Sequence, residues 1–308
     1  MYVEKRKTKY GIKYYLVHSY RDQDKVKKIR RYLGKDLSRD GLETAKKKAE
    51  KSILEVLEEL NTRVFLFSLT KKQVEALNKY DKKLKIIHLD QKDWQRFTEE
   101  FVYNTNAIEG STVAEDEVPE ILRKKQATNA EELETKGVAK AVEYIKKTKE
   151  DLSLGLIKKI HKLCFEGSKD FAGEFRTLEV VIKSSKGEVI HAGVLANELM
   201  DALKDLVDWH KENKSKFKPL VLSAIIHNQF EYIHPFQDGN GRVGRLLLNF
   251  ILIKNKYPPI NISIQDREEY YATLQKYSKN QDLKQTVKFL IKQYKKTLKK
   301  APTKRRDK

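Results

Sequence analysis

The residues best suited to chemistry stand together in segment 234–245, which reads HPFQDGNGRVGR. Gly239 and Gly241 permit the positive backbone φ angles that aim consecutive N–H groups into one concavity. A strongly apolar helix is predicted to follow, and the positive end of its dipole would lie behind those N–H groups. The segment therefore predicts a binding site for an anion such as phosphate.

Charged side chains surround this predicted anion site. Arg242 and Arg245 stand three positions apart on the first helical turn, so both can offer forked donors to phosphate oxygens. Asp238 is a hard oxygen ligand where a Mg²⁺ ion could bridge two phosphates, although it could instead cap the helix. Pro235 disfavours helical geometry in His234 and so places that histidine on a turn. Together these residues indicate phosphoryl chemistry on a nucleotide.

Segment 234–245 resembles the signature of Fic proteins. Most characterised members move AMP from ATP to a Ser, Thr or Tyr hydroxyl of a target protein and release pyrophosphate. The resemblance covers roughly residues 92–299 and excludes the first sixty or so residues and the basic tail. The matching signature positions are His234, Pro235, Phe236, Asp238, Gly239, Asn240, Gly241, Arg242 and Arg245.

The resemblance implies a role for each signature residue. His234 would be the general base for the target hydroxyl, because an imidazole is mostly neutral near pH 7. Asp238 would hold Mg²⁺. Arg242 would neutralise charge on the leaving pyrophosphate, and Arg245 would reach the γ-phosphate. The phosphates of ATP would be cradled by Gly239, Asn240 and Gly241.

A second motif lies upstream, where residues 104–112 read NTNAIEGST. Thr105, Glu109 and Gly110 match the short inhibitory motif of regulated Fic proteins, at the end of a helix predicted over 94–108. The resemblance implies that Glu109 pairs with Arg245 and so removes the γ-phosphate donor. The alternative is that Glu109 merely ends a helix before glycine. In some relatives the same glutamate serves AMP removal, and the sequence leaves that reaction and other donor nucleotides open.

Residues 178–191 (LEVVIKSSKGEVIH) predict a β-hairpin, because two β-branched runs flank a turn sequence. The hairpin matches the Fic flap, whose strand edge pairs with the target protein. Val181 and Ile182 are expected to clamp the target, with a register that the sequence does not fix. Arg176 is expected to brace the flap, and Tyr270 and Tyr271 are candidates for the nucleobase pocket.

The elements that must position these residues are mostly helical, so the sequence predicts a mainly α fold. The implied architecture is a Fic-type helical bundle with a β-hairpin flap, plus a small N-terminal β-rich appendage. Apolar residues recur at a spacing close to 3.6 in nine segments. These are 92–104, 115–124, 130–148, 153–165, 194–212, 219–232, 240–254, 267–278 and 283–299.

The N-terminal third is predicted to differ from this helical body. β-rich runs at 12–17 and 26–33 predict two strands, and spacing over 38–60 predicts an amphipathic helix. Runs at 63–67 and 84–89, around a helical stretch at 71–80, suggest either a short strand pair or a further connector. The predicted domains are a basic appendage (1–37), a connector (38–90), a catalytic region (91–299) and a tail (300–308).

The net charge of +20, from 64 Lys+Arg and 44 Asp+Glu, is concentrated at the two ends of the chain. Basic ends favour an acidic partner, so nucleic acid bound through the N-terminal unit and tail is an alternative function. The lone Cys164 excludes an intramolecular disulfide, and no segment is apolar enough to span a membrane. We therefore expect a cytoplasmic protein, and the sequence leaves homo-oligomer formation open.

Overall fold

A computed structural model describes residues 1–22, 25–60, 63–64, 67–81, 89–183 and 189–299. The chain divides into two compact units, Met1–Lys72 and Gln73–Lys308. The division into appendage, connector and catalytic region stays a prediction. Within the described ranges, no helix combines the length and the apolar character needed to cross a membrane.

The first unit is a three-stranded antiparallel sheet packed on a helix. The strands β1 (Tyr2–Thr8), β2 (Gly11–Asp22) and β3 (Lys25–Lys35) lie in that order, and α1 spans Arg39–Leu60. Alternate residues of the sheet face α1, as the period of two requires. Their shared core comprises Leu16, Ile29, Leu33, Ala49 and Ile53.

Two features of this unit differ from the sequence-based expectation. The strand β1 was not predicted, because YVEKRKT shows no run of apolar residues; it is held instead by backbone pairing with β2. The short strand β4 (Arg63–Val64) pairs with β5 (Phe67–Ser68), rather than with a strand near residue 84. Residues 84–88 of that predicted strand lie outside the described residues.

The second unit is the predicted helical bundle, which confirms the mainly α fold. At its centre α8 and α9 are buried along most of their length, as their nearly continuous apolar sequences require. The strands β6 (Val181–Lys183) and β7 (Val189–Ala192) form the predicted hairpin. The helices are α2 (Lys71–Asn78), α3 (Gln91–Ile108), α4 (Val118–Arg123), α5 (Ala130–Lys147), α6 (Leu154–Phe165), α7 (Leu199–Asn213), α8 (Pro219–Ile233), α9 (Asn240–Lys254), α10 (Arg267–Asn280) and α11 (Leu283–Lys299).

Candidate active site

His234 lies on the turn that joins α8 to α9. It ends α8 in the left-handed conformation, with φ of 54°, and its backbone N–H donates to the Phe230 carbonyl over 3.0 Å. Pro235 follows and has no N–H to continue the helix. The Phe236 side chain is fully buried and anchors the turn in the core. The imidazole is thereby held at the end of a rigid helix.

The loop between Phe236 and α9 is fixed by the side chain of Asn240. Asn240 Oδ1 accepts from the Phe236 N–H, and Asn240 Nδ2 donates to the Phe236 carbonyl, each over 2.8 Å. Both polar atoms of the Asn240 side chain therefore hold this loop, and the expected contact of Asn240 with phosphate stays a prediction. Gly239 adopts the positive φ expected of it, 82°, directly before α9, whereas the positive φ expected of Gly241 is wrong because this residue lies within the helix.

His161 on α6 braces the same loop, and sequence spacing gave no sign of this role. Its Nδ1 accepts from the Gly173 N–H over 2.8 Å, so Nε2 carries the proton and donates to the Asp238 carbonyl over 3.1 Å. Burial lowers the pKa of His161 to about 4, which keeps the ring neutral. The ring also stacks on Phe236, with centroids 3.8 Å apart.

Asp238 belongs to a network of four charged side chains. Its Oδ2 lies 2.8 Å from Lys169 Nζ and 3.7 Å from Arg242 Nη2. Glu134 on α5 contacts both cations, because it accepts from Arg242 and lies 3.5 Å from Lys169. Partial burial opposes ionisation of Asp238, but Lys169 and Arg242 hold its pKa below the usual range. The carboxylate does not cap α9, because the N-cap is Gly239.

Arg245 forms a buried ion pair with Glu109, the residue that ends α3. Arg245 Nη2 donates to Glu109 Oε1 over 2.7 Å, and Arg245 also donates to Thr105 Oγ1 and to the Thr105 carbonyl. Only 2% of the Arg245 side chain is exposed, against 27% for Glu109. Burial disfavours the charge on Arg245, yet the carboxylate raises its pKa above the ordinary value. Gly110 follows with φ of 96°, which suits glycine.

Glu109 also contacts the predicted phosphate cradle. A Cβ atom added to Gly241 would lie 2.2 Å from Glu109 Oε1 and 3.0 Å from Arg245 Nη1. The glutamate carboxylate therefore lies against the first turn of α9, where the helix dipole and backbone N–H groups favour an anion. The predicted inhibitory residue and the predicted anion site are brought together by folding.

A cavity of about 360 Å³ opens beside this cluster. His234, Gly241, Arg245 and Glu109 lie on its wall, and residues of α8 and α10 form the remainder of the lining. Tyr271 donates to the Ile108 carbonyl over 3.4 Å, so the cavity wall touches the end of α3. The aromatic lining includes Tyr232, Tyr270, Tyr271 and Tyr277.

The hairpin of β6 and β7 is tied by Arg176 to the turn that carries His234. Its Nε donates to the His234 carbonyl over 2.7 Å and its Nη1 to the Leu178 carbonyl over 2.8 Å. Val181 pairs with Ala192 and is 50% exposed, whereas Ile182 pairs with His191. The expected brace is therefore present, and it joins the flap base to the turn that carries the imidazole.

The site fits a nucleotide whose phosphates carry a divalent cation. Among the described residues, no group of three or more His, Cys, Asp or Glu side chains could hold a metal alone. Mg²⁺ commonly takes one or two protein carboxylates and completes its shell with phosphate oxygens and water. Asp238, which is 48% exposed, provides one such carboxylate beside the cradle.

Comparison with known proteins agrees with this geometry. Residues 151–252 match the model of the Fic/DOC family. The chain is 31% identical over 185 residues to protein adenylyltransferase fic-1 of Caenorhabditis elegans, which covers 56% of this chain and 35% of that protein. It is 30% identical over 245 residues to protein adenylyltransferase Fic of Drosophila melanogaster, covering 75% and 48% respectively.

Solved structures share the fold. A Fic domain containing signaling protein from Bacteroides thetaiotaomicron superposes with a TM-score of 0.63 at 25% identity, covering 74% of this chain and 94% of that one. Fic-1 of C. elegans superposes with a TM-score of 0.58 at 24% identity, covering 86% and 77%. The present chain spans only about a third to a half of the curated relatives it matches.

Proposed function

Because the chain belongs to the Fic/DOC family, we propose that it transfers AMP from ATP to a hydroxyl group of a target protein. The observation that carries the proposal is the placement of His234, Gly241 and Arg245 on the wall of one cavity. A base, an anion cradle and a phosphate-binding cation then serve a single nucleotide. This is the arrangement that phosphoryl transfer requires, since its catalysis is mainly positioning and electrostatics.

The reaction follows from the roles of these side chains. His234 accepts the proton of the attacking Ser, Thr or Tyr hydroxyl, and the oxygen forms a bond to the α-phosphorus as the bond to pyrophosphate breaks. Arg242 offsets charge that develops on the leaving group. The adenine ring lies against the α10 aromatics, with Tyr271 at the end of the cavity nearest Glu109.

Asp238 is the residue that would hold Mg²⁺ in this site. A bound Mg²⁺ neutralises phosphate charge and fixes the phosphate geometry. The Asp238 carboxylate suits this task because neighbouring cations keep it ionised. Its backbone is also held, through the contact of the Asp238 carbonyl with His161.

We further propose that Glu109 holds the activity down. Its carboxylate takes the Arg245 donor and lies against Gly241, so it competes with the γ-phosphate for both. A negative charge at this point also repels phosphate. Removal of the carboxylate would free Arg245 for the nucleotide and leave the cradle open.

The target segment is proposed to add to the edge of the flap hairpin, beside the exposed Val181. The Arg176 brace would keep this edge in a fixed relation to His234, because it bonds to backbone on both sides. Target hydroxyls would then be presented to the base by main-chain pairing rather than by sequence-specific contacts.

The test is incorporation of labelled AMP from ATP and Mg²⁺ by purified protein, with itself and cell lysate as acceptors. We expect weak labelling by the wild type, strong labelling by Glu109→Gly and none by Glu109→Gly/His234→Ala. Loss of one catalytic base commonly lowers rates by roughly 10²–10⁴-fold. A Glu109→Gly protein that binds ATP but labels nothing would overturn the proposed activity.

A matched acidic variant separates inhibition from a general effect of charge. Glu131 on α5 accepts from Thr112 near the end of α3, but it does not contact Arg245. We expect Glu131→Gly to leave labelling at the wild-type level. Equal activation by Glu131→Gly and Glu109→Gly would contradict a specific inhibitory role for Glu109.

A further inference from the structure

A surface outside the catalytic unit lies on the N-terminal sheet. Residues paired directly across antiparallel strands point to the same side, and the ladder pairs Tyr2 with Val17 and Tyr15 with Tyr32. These residues alternate with those that pack on α1, so they belong to the opposite side of the sheet. We call this side the outer face; it comprises Tyr2, Glu4, Arg6, Lys13, Tyr15, Val17, Ser19, Lys28, Arg30 and Tyr32.

The outer face carries an excess of positive charge. Four of these residues are cations, the ladder adds Lys35 opposite Lys13, and the one acid among the residues named is Glu4. Glu4 is shared between two arginines, since its Oε1 accepts from Arg6 over 2.7 Å and its Oε2 from Arg30 over 3.2 Å. One carboxylate thus holds two guanidinium groups side by side. A surface of this kind attracts a polyanion at a distance and orders the donors that contact it.

Exposed aromatic rings lie among these cations. Tyr32 is 56% exposed and Tyr2 is 47% exposed. The Tyr15 and Tyr32 rings lie 5.4 Å apart, and the Arg6 guanidinium lies 5.1 Å from the Tyr15 ring. Val17 on β2 is fully buried. Exposed tyrosine rings lie on the two neighbouring strands, Tyr2 on β1 and Tyr32 on β3.

From this face we infer a second binding function, for single-stranded nucleic acid. Proteins that bind single-stranded nucleic acid combine two features: cations that follow the phosphate backbone, and exposed aromatic rings on which the unpaired bases stack. An acidic peptide would satisfy the cations but would make no use of the tyrosine rings. A duplex would hide its base faces from them. The inference stands independently of the catalytic site, because none of its residues belongs to that site.

The experiment measures binding of the full chain to a labelled oligonucleotide of roughly 10–20 nucleotides, offered as single-stranded RNA, single-stranded DNA and duplex DNA. We expect both single strands to bind more tightly than the duplex. Tyr32→Ala and Tyr2→Ala should each weaken single-strand binding at least about fivefold. The matched control is Tyr10→Ala in the β1–β2 turn, a tyrosine that is 71% exposed but off the outer face, and it should bind as the wild type does.

Charge is tested by a second pair of variants. Lys28→Gln/Arg30→Gln should lower the salt dependence of log K by about 1.4, the value for two lost phosphate contacts to a single strand. Lys47→Gln/Lys48→Gln on α1 removes equal charge elsewhere in the same unit and should change the slope much less. Circular dichroism of each variant establishes that the sheet is folded.

Three outcomes would overturn the inference. The first is equal binding by wild type and both tyrosine variants, which would leave only general attraction of polyanions. The second is a preference for duplex. The third is loss of binding in a chain ended at residue 299, since the basic segment 300–308 would then be the ligand site. Adenylyl transfer by Glu109→Gly is expected to be unaffected by Tyr32→Ala, so each function can fail without the other.

Discussion

Lys169 Nζ lies 2.8 Å from Asp238 Oδ2, on the carboxylate proposed to hold Mg²⁺. Since like charges repel, we expect Lys169→Met to bind Mn²⁺ together with a non-hydrolysable ATP analogue roughly three- to tenfold more tightly, about 0.7–1.4 kcal/mol. Paramagnetic resonance of Mn²⁺ measures this without turnover. Lys162→Met is the control, because Lys162 on α6 forms an exposed pair with Glu166, the residue that follows this helix. Unchanged or weaker Mn²⁺ binding by Lys169→Met alone would contradict the prediction.

Glu231 on α8 provides a pH-dependent prediction. Burial raises the pKa of Glu231 from 4.5 to about 8, and Glu109 adds to this effect while Arg245 opposes it. Between these pH values the folded state keeps a proton that the unfolded chain releases, so the free energy of unfolding falls as pH rises. Glu231→Gln has no group that ionises at this position. Its free energy of unfolding relative to that of the wild type should therefore rise by a few kcal/mol from pH 5 to pH 8.

Urea unfolding of wild type and Glu231→Gln at pH 5 and pH 8 measures this difference. The Glu132→Gln variant is a useful comparison, because Lys124 lowers the pKa of Glu132 to about 2 and its contribution has the opposite sign. A constant difference between wild type and Glu231→Gln across this range would show that Glu231 is ionised in the folded protein.

At the scale of residues, the residues of segment 234–245 could be proposed from the sequence, but the side chains that hold this segment in place could not. Segment 234–245 is local, so residue type and spacing were enough to predict the anion cradle and its cations. His161, Lys169 and Glu134 reach the same loop from far away along the chain; His161 contacts Asp238 across 77 positions and Glu134 contacts Arg242 across 108. Such contacts arise from helix packing, which spacing within one segment does not specify.

The packing of α5 on α6 depends on Gly137. An added Cβ would lie 2.4 Å from the Cys164 carbonyl oxygen and 2.6 Å from that of Leu163. Because these are backbone atoms, the helices must separate, and we expect Gly137→Ala to lose about 1–3 kcal/mol of stability. Gly155→Ala is the matched control, since its Cβ would meet only Ser153 Oγ at 3.8 Å; it should be neutral or gain up to about 1 kcal/mol.

Thermal and urea unfolding of these two variants tests the packing directly. Because α5 carries Glu134 and α6 carries His161, Gly137→Ala should also weaken nucleotide binding when it displaces the two helices. Equal stability of Gly137→Ala and Gly155→Ala would show that the helix pair tolerates a wider separation than the structure indicates.

At the scale of elements, helices were predictable because their apolar spacing reflects one buried face. The start of α7 was placed too early, at 194, whereas the helix begins at Leu199. The intervening backbone is used elsewhere: the Val194 N–H donates to the Ile233 carbonyl over 3.3 Å, and the Val194 carbonyl accepts from Arg176. The start of α7 is therefore set by the long-range contacts of Val194 with Ile233 and Arg176, which spacing within the segment does not reveal.

At the scale of the whole molecule, the positive charge is shared between the two units, whereas the residues proposed for adenylyl transfer lie in one of them. All the residues proposed for adenylyl transfer lie after Gln73, whereas the outer face lies before Lys72. The net charge of +20 is therefore not a property of the catalytic unit alone. A nucleic-acid contact in the first unit would instead concentrate the enzyme where its target proteins are bound, through effective concentration.

This separation predicts that residues 70–308, which retain α2 complete, fold and react without the N-terminal sheet. The first unit has its own core of Leu16, Ile29, Leu33, Ala49 and Ile53, so its removal takes away no part of the bundle core described around α8 and α9. We expect the truncated chain carrying Glu109→Gly to label itself or a small soluble acceptor within about threefold of the full-length variant, a difference below roughly 0.7 kcal/mol.

The same truncation should abolish binding of single-stranded oligonucleotide. Labelling and oligonucleotide binding can therefore be measured on one preparation of the truncated protein. Cooperative unfolding of the truncated chain, followed by circular dichroism, distinguishes an inactive enzyme from an unfolded one. If residues 70–308 fold cooperatively and bind ATP but lose labelling by tenfold or more, the first unit contributes to catalysis. Adenylyl transfer by the second unit would then depend on the first unit, instead of proceeding independently of it.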